Sequence, residues 1–149
     1  MAIHGSATEE INAPIDRVFE VAADVEGSPR WQPEIKRAEV LERDAEGRQV
    51  LVRTEADAKV RTLGSTMRFA YDKPRGLSWR QEDGDLKSVE GSWEFEDLGD
   101  GRTRATYSMT VDLGRMLGMV IRGPLVDVLR GQLVESMPGK LKKFVENEG

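Results

Sequence analysis

The sequence predicts an α+β fold in which a curved antiparallel sheet of six to seven strands wraps around a long C-terminal helix. Three observations carry this expectation. From Ile35 to Leu113 the apolar residues recur with period two, the spacing of half-buried strands. From Gly123 to Asn147 they recur with helical spacing, the longest such pattern in the chain. After the first strand a shorter helical stripe adds one or two short helices.

In chain order, residues 4–12 read as a modest first strand. In Asn12–Phe19, Pro14 suits a helix start and Asp16 its first turn, while Ile15, Val18, Phe19 and Ala22 form an i, i+3, i+4, i+7 stripe. Gly27 and Pro29 interrupt Asp24–Trp31, which leaves a turn or short helix before Pro33 and the strands.

The third strand presents Val50, Val52, Thr54, Ala56 and Ala58 on one face and Arg53, Glu55, Asp57 and Lys59 on the other. The next sets Leu63, Ser65, Met67, Phe69 and Tyr71 against Thr66, Arg68 and Asp72. The same alternation gives Leu77, Trp79 and Gln81; then Val89, Gly91, Trp93 and Phe95; then Ala105, Tyr107, Met109 and Val111. One apolar and one charged face across consecutive strands means an antiparallel sheet wetted on one side. Turns are marked at Asp44–Gly47, Lys73–Gly76, Asp83–Asp85 and Gly99–Gly101. Gly91, inside a strand pattern, suggests a bulge or bend.

Leu113–Ile121 joins sheet to final helix and is apolar and methionine-rich for a connection, which points to a buried segment or to a flap over a cavity mouth. In the final helix Leu125, Val126, Leu129, Leu133, Val134, Met137, Leu141 and Phe144 share one half of a helical wheel, with Asp127, Gly131, Glu135 and Lys142 opposite. A continuous helix over 123–147 spans roughly 37 Å at about 1.5 Å per residue. Pro138 must kink or restart it, and the wheel puts Pro138 on the polar, convex side. Arg130 falls within the apolar arc; it either meets an anionic ligand group or snorkels outward.

At 149 residues the chain reads as a single domain, 1–149, large enough for its own core. Lysine and arginine number 22 against 27 acidic residues, a net charge of −5 without basic runs, which argues against nucleic acid as a partner. There is no cysteine, so disulfides, thiolate metal sites and cysteine nucleophiles are excluded. No apolar run reaches signal-peptide or membrane-span length, and the expectation is a cytoplasmic monomer or homodimer without stable membrane insertion.

The order of elements resembles the helix-grip fold of the polyketide cyclase/dehydrase and START-like lipid-transfer (SRPBCC) superfamily. The run EINAPIDRVFEVAADVEGSPRWQPEIKRAEVLE resembles its opening, with Ile11-x-Ala13-Pro14 before the Val18-Phe19 helix and Trp31-x-Pro33 before the second strand. EGSWEFEDLGDGRTRATYSMTV resembles its penultimate hairpin. These motifs are structural. They imply the fold over nearly the whole chain, whereas members include cyclases, lipid carriers, coenzyme Q-binding proteins and partner-regulating domains.

The lone histidine, His4, sits in a terminal segment and no His/Asp/Ser arrangement exists, so no catalytic residue is assigned. Glu94 and Glu96 share a strand face, but a charged one, and neither a metal site nor a cofactor is expected. The candidate ligand-binding face comprises Met67, Phe69, Tyr71, Trp79, Gln81, Trp93, Tyr107 and Met109, opposite Arg130, Leu133 and Met137 on the helix, with Trp31 at the rim. Read from the residues alone, these side chains favour a solid core, with Tyr71 and Tyr107 bonded to backbone and Gln81 satisfied internally. The resemblance implies a cavity holding a small hydrophobic or amphipathic molecule such as a lipid, isoprenoid or polyketide. A cyclase or dehydratase using Tyr71, Tyr107 or Arg130, and an interaction module using Leu113–Ile121, are the other functions considered.

Overall fold

The computed structural model describes residues 2–58 and 61–148; Lys59, assigned above to the charged face of the third strand, lies outside them. Seven strands form one antiparallel curved sheet: β1 (Ala2–Ile11), β2 (Ile35–Arg43), β3 (Gln49–Asp57), β4 (Thr62–Asp72), β5 (Gly76–Gly84), β6 (Ser88–Gly99) and β7 (Arg102–Asp112). Their spatial order is β1-β7-β6-β5-β4-β3-β2, a meander from β2 to β7 with the first strand added beside the last. Helix α1 (Ile15–Ala23) and a 3-10 turn (Val25–Arg30) follow β1, and α2 (Gly114–Val120), α3 (Pro124–Arg130) and α4 (Met137–Glu148) follow β7.

Period two places the core. Val52 and Thr54 on β3, Phe69 on β4, Leu77 and Trp79 on β5, Trp93 and Phe95 on β6, and Ala105, Tyr107 and Val111 on β7 are all buried on one face. Phe19 and Val18 of α1 and Leu129, Val134, Met137, Leu141 and Val145 of the C-terminal helices cover that face. The β6–β7 turn needs three consecutive residues at positive φ, Gly99 (84°), Asp100 (55°) and Gly101 (71°), which suits glycine and aspartate.

The free edge of β1 is tied down by the helices beside it. Arg130 Nε donates to the His4 carbonyl at 3.1 Å, Lys142 Nζ donates to the Glu10 carbonyl at 3.0 Å, and Glu146 accepts from Asn12 N–H at 2.8 Å. Cations on helix faces thus satisfy carbonyls that would otherwise invite another strand. The opposite edge, β2, carries register shifts after Ile35, Val40 and Glu42, which disrupt edge-to-edge pairing.

Three expectations change. Gly91 is not a bulge: the β6 register runs through it unshifted, from Trp79↔Gly91 to Gly91↔Met109, and the glycine makes room for an indole. Pro138 is fully buried rather than on a convex polar side. The cause is a π turn over Gly131–Glu135, closed by Ser136 N–H donating to the Gly131 carbonyl at 2.9 Å, five residues back. The extra residue rotates the helical face, so burial runs Leu129, Val134, Pro138, Leu141, Val145 rather than through Leu133. Proline then falls at the second residue of α4, where its missing N–H costs no hydrogen bond. Finally, Leu113–Ile121 is not simply buried. Leu113 and Ile121 are, but Met116, Met119 and Val120 between them stand in solvent.

Candidate functional site

Strand alternation and register together line up a chain of rings under the C-terminal helix. Phe69 on β4 faces Trp79 on β5 in the register, with centroids 5.8 Å apart, and Trp93 on β6 faces Tyr107 on β7 at 4.7 Å, edge to face. Trp79 also reaches Tyr107 at 5.6 Å. Above these rings the packing is incomplete. A cavity of about 140 Å³ remains, floored by the sheet and roofed by Leu133 and Met137.

Of the expected ligand-binding residues, Met67, Phe69, Trp79, Trp93, Tyr107, Met109, Leu133 and Met137 line this cavity. Tyr71, Gln81 and Arg130 do not. The Tyr71 hydroxyl donates to the Gln49 carbonyl at 2.6 Å, and its ring stacks on Phe69 and meets Phe19 edge-on, which locks it into the wall behind. Gln81 donates to the Leu86 carbonyl at 2.8 Å and accepts from the Ser65 hydroxyl at 2.7 Å, so it orients a lining residue from outside. Arg130 is occupied by His4 and by Asp127 at 3.0 Å. Trp31 is no rim residue either; it is buried against Trp93, 6.4 Å between centroids.

The lining is not wholly apolar. Ser28, Gln32, Glu34, Thr54, Ser65 and Tyr107 contribute to it. Glu34, in the loop before β2, has a side chain 2% exposed, and Lys140 Nζ of α4 reaches both its oxygens, at 2.9 and 3.1 Å. Lys140 also donates to the Gln132 carbonyl at 3.3 Å, so the ammonium has two kinds of acceptor. The pair bridges the β2 loop and the last helix at the cavity wall. Sequence reasoning missed it because Glu34 and Lys140 stand 106 positions apart and each sits in a charged neighbourhood.

The Tyr107 hydroxyl donates to the sulfur of Met109 at 3.3 Å, a weak acceptor. Complete burial, reinforced by the Glu34 charge, pushes the Tyr107 phenol well above its ordinary value. It is therefore a hydrogen-bond donor at neutral pH and not a base. Burial also raises Tyr71, to about 12, partly offset by the Arg48 guanidinium beside it. Among the described residues no group of three histidine, cysteine, aspartate or glutamate side chains is arranged to hold a metal ion. His4 pairs with Thr110 at 2.7 Å and Glu96 with Arg104 at 2.7 Å, both on the wet face.

The family model described as "Polyketide cyclase / dehydrase and lipid transport" matches residues 11–137, from the end of β1 to the start of α4. The chain belongs to this family. Its fold is that of a START superfamily protein from Mycobacterium smegmatis, with a TM-score of 0.85 at 23% identity over 98% of this chain and 99% of that one. The aromatase/cyclase Zhui from Streptomyces sp. R1128 matches with a TM-score of 0.81 at 21% identity over 99% and 96% of the two chains. Among curated proteins, the ribosome association toxin RatA of Pseudomonas aeruginosa is 23% identical over 97% of this chain and 99% of its own. Family and fold are consistent with hydrophobic ligand binding or with polyketide cyclisation. No helix among the described residues is long and apolar enough to cross a membrane.

Proposed function

We propose that this protein binds a small hydrophobic or amphipathic molecule, of lipid, isoprenoid or polyketide type, in the cavity between the sheet and the C-terminal helices. The observation that carries the reading is a space walled by Phe69, Trp79, Trp93, Met109, Leu133 and Met137 into which one under-used donor, the Tyr107 hydroxyl, projects. Apolar walls supply affinity by removing ligand surface from water, and a few polar groups fix orientation. Size limits the occupant. About 140 Å³ matches the roughly 150 Å³ of an engineered cavity that takes up benzene, and falls short of the roughly 300 Å³ and more typical of drug-sized ligands. One ring or a short acyl end fits as the walls stand; a longer molecule must part the helices from the sheet.

Because Trp79 and Trp93 line the cavity, intrinsic fluorescence reports occupancy. Fatty acids, isoprenoid alcohols and aromatic polyketides should quench or shift it saturably for at least one class. A flat response to all three, with no small molecule retained in native mass spectra of protein from its own source, would refute the proposal. A polyketide cyclase or dehydratase is the second reading of the same cavity, favoured by the Tyr107 donor and the Glu34 carboxylate sharing it. Turnover of a tethered polyketide that disappears in Tyr107→Phe would establish it.

A further inference from the structure

The exposed face of α2 has no counterpart elsewhere on the described surface. Met116 is 82% exposed, Met119 64% and Val120 59%, and their i, i+3, i+4 spacing puts them on one face. Val128 of α3 adds a fourth exposed apolar residue at 51%. The helix is held by its other side, where Ile121 is fully buried just past its end and Leu117 packs on the core. α2 is thus apolar on both sides, with one anchored and the other in water.

Charge singles out the same segment. Residues 113–126 contain no aspartate or glutamate, although 27 of the 149 residues are acidic, and they carry Arg115 and Arg122, both exposed. Lys87, 71% exposed, lies against Gly114 at the start of α2 and adds a third cation, its ammonium 3.9 Å from the carboxylate of Asp112 just before the segment. With Asp112 and Asp127 flanking it, the patch keeps a small positive balance, the three cations Lys87, Arg115 and Arg122 to two carboxylates, on a chain of net charge −5.

From this juxtaposition we infer that α2 and the adjoining start of α3 form a peripheral docking surface for an anionic lipid bilayer. The two methionines and Val120 enter the boundary between headgroups and acyl chains, while Arg115, Arg122 and Lys87 meet lipid phosphates at the rim. An interfacial element of this kind combines apolar burial with electrostatic attraction and lies on the membrane without spanning it. Unbranched methionine side chains adapt to a disordered apolar phase. A second copy of the chain fits less well, because a two-fold contact through this patch would bring two sets of the same three cations together. The surface also has a place relative to the cavity. Val89 and Val111 line the cavity, and one or two residues beyond them Lys87 N–H bonds the Asp112 carbonyl where the chain turns into α2. Docking would therefore bring that end of the cavity to the membrane.

The test is flotation of the full chain with vesicles of phosphatidylcholine and phosphatidylglycerol, 70:30, against phosphatidylcholine alone, at low and high salt. Saturable binding to the anionic vesicles is expected, at least tenfold weaker on the neutral ones and in high salt. Met116→Ser/Met119→Ser and Arg115→Gln/Arg122→Gln should each lower partitioning at least tenfold, with thermal midpoint unchanged because the altered side chains are in water. Equal affinity for both vesicle types, absence of binding, or variants that bind like the parent would overturn the inference. So would a concentration-dependent dimer that Met116→Ser/Met119→Ser dissociates, which would assign the patch to a second copy. Fluorescence titration without vesicles reads the cavity independently, so docking and ligand binding can fail separately.

Discussion

Trp79 on β5 and Tyr107 on β7 stand 5.6 Å apart, ring to ring, although β6 runs between their strands. Gly91 is the reason. It lies opposite Trp79 in the register, and a Cβ built on it would fall 2.5 Å from Cζ2 of the indole. The glycine thus lets one side chain cross a whole strand and complete the aromatic floor of the cavity.

Gly91→Ala should displace that indole. Overpacking costs roughly 1–3 kcal/mol, and replacing a strand glycine returns about 0.5–1, so the expected net loss is at most about 2.5 kcal/mol. Tryptophan emission should shift at the same time. An alanine variant with both denaturation midpoint and emission unchanged would show that the indole does not occupy this space.

The sequence carried the sheet and its faces because burial on one side imposes a period of two, and that period is visible residue by residue. It carried the cavity less completely. Met67, Phe69, Trp79, Trp93, Tyr107 and Met109 follow from strand parity, and Tyr71 and Gln81 share that parity yet turn away. Tyr71 bonds to Gln49 at the very start of β3, and Gln81 bonds to Leu86 in the β5–β6 loop, element ends whose geometry no periodicity encodes. The π turn was equally hidden, since a strict 100° wheel admits no extra residue, although the five-residue step from Leu129 to Val134 is its trace. Exposure of Met116 and Met119 contradicts the ordinary rule that apolar connections are buried, and departures of this kind are expected where function competes with burial.

The Glu34–Lys140 pair should respond asymmetrically to mutation. Glu34 is 2% exposed and Lys140 23%. Lys140→Met strands a buried carboxylate, a loss of roughly 3–5 kcal/mol for a fully buried pair and somewhat less here. In Glu34→Gln the ammonium keeps the Gln132 carbonyl and partial access to water, so a loss of about 1–2 kcal/mol is expected. Equal losses in urea denaturation, or a larger loss for Glu34→Gln, would contradict the burial assigned to the carboxylate.

Alkaline pH should unfold the protein before its tyrosines ionise in place. The chain has two, and burial raises both, Tyr71 to about 12. In the unfolded chain each ionises near its ordinary value of 10. The folded state therefore holds protons that the unfolded state has already released. This contribution to stability is fully present below pH 10 and is lost as pH rises from about 10 towards 12. Absorbance at 295 nm should stay flat through pH 10 and rise only with loss of near-ultraviolet circular dichroism. A tyrosinate signal near pH 10 in folded protein would show that at least one phenol is open to solvent.

Met137 separates an adaptable cavity from a finished core. It is 2% exposed, lines the roof of the cavity and sits one residue before the proline that begins α4's rotated face. In a close-packed interior Met137→Trp forces neighbours off their rotamers and costs roughly 1–3 kcal/mol. Here the indole can enter the adjoining space, and stability should change by less than about 1 kcal/mol, within the range of a tolerated apolar swap. The same indole removes volume from a cavity of about 140 Å³, so the affinity for any ligand that perturbs Trp79 and Trp93 should fall at least tenfold. Denaturant midpoint and fluorescence titration measure the two effects independently. A large drop in stability with affinity per folded molecule unchanged would mean that the rings and the helix close on one another and that the ligand binds elsewhere.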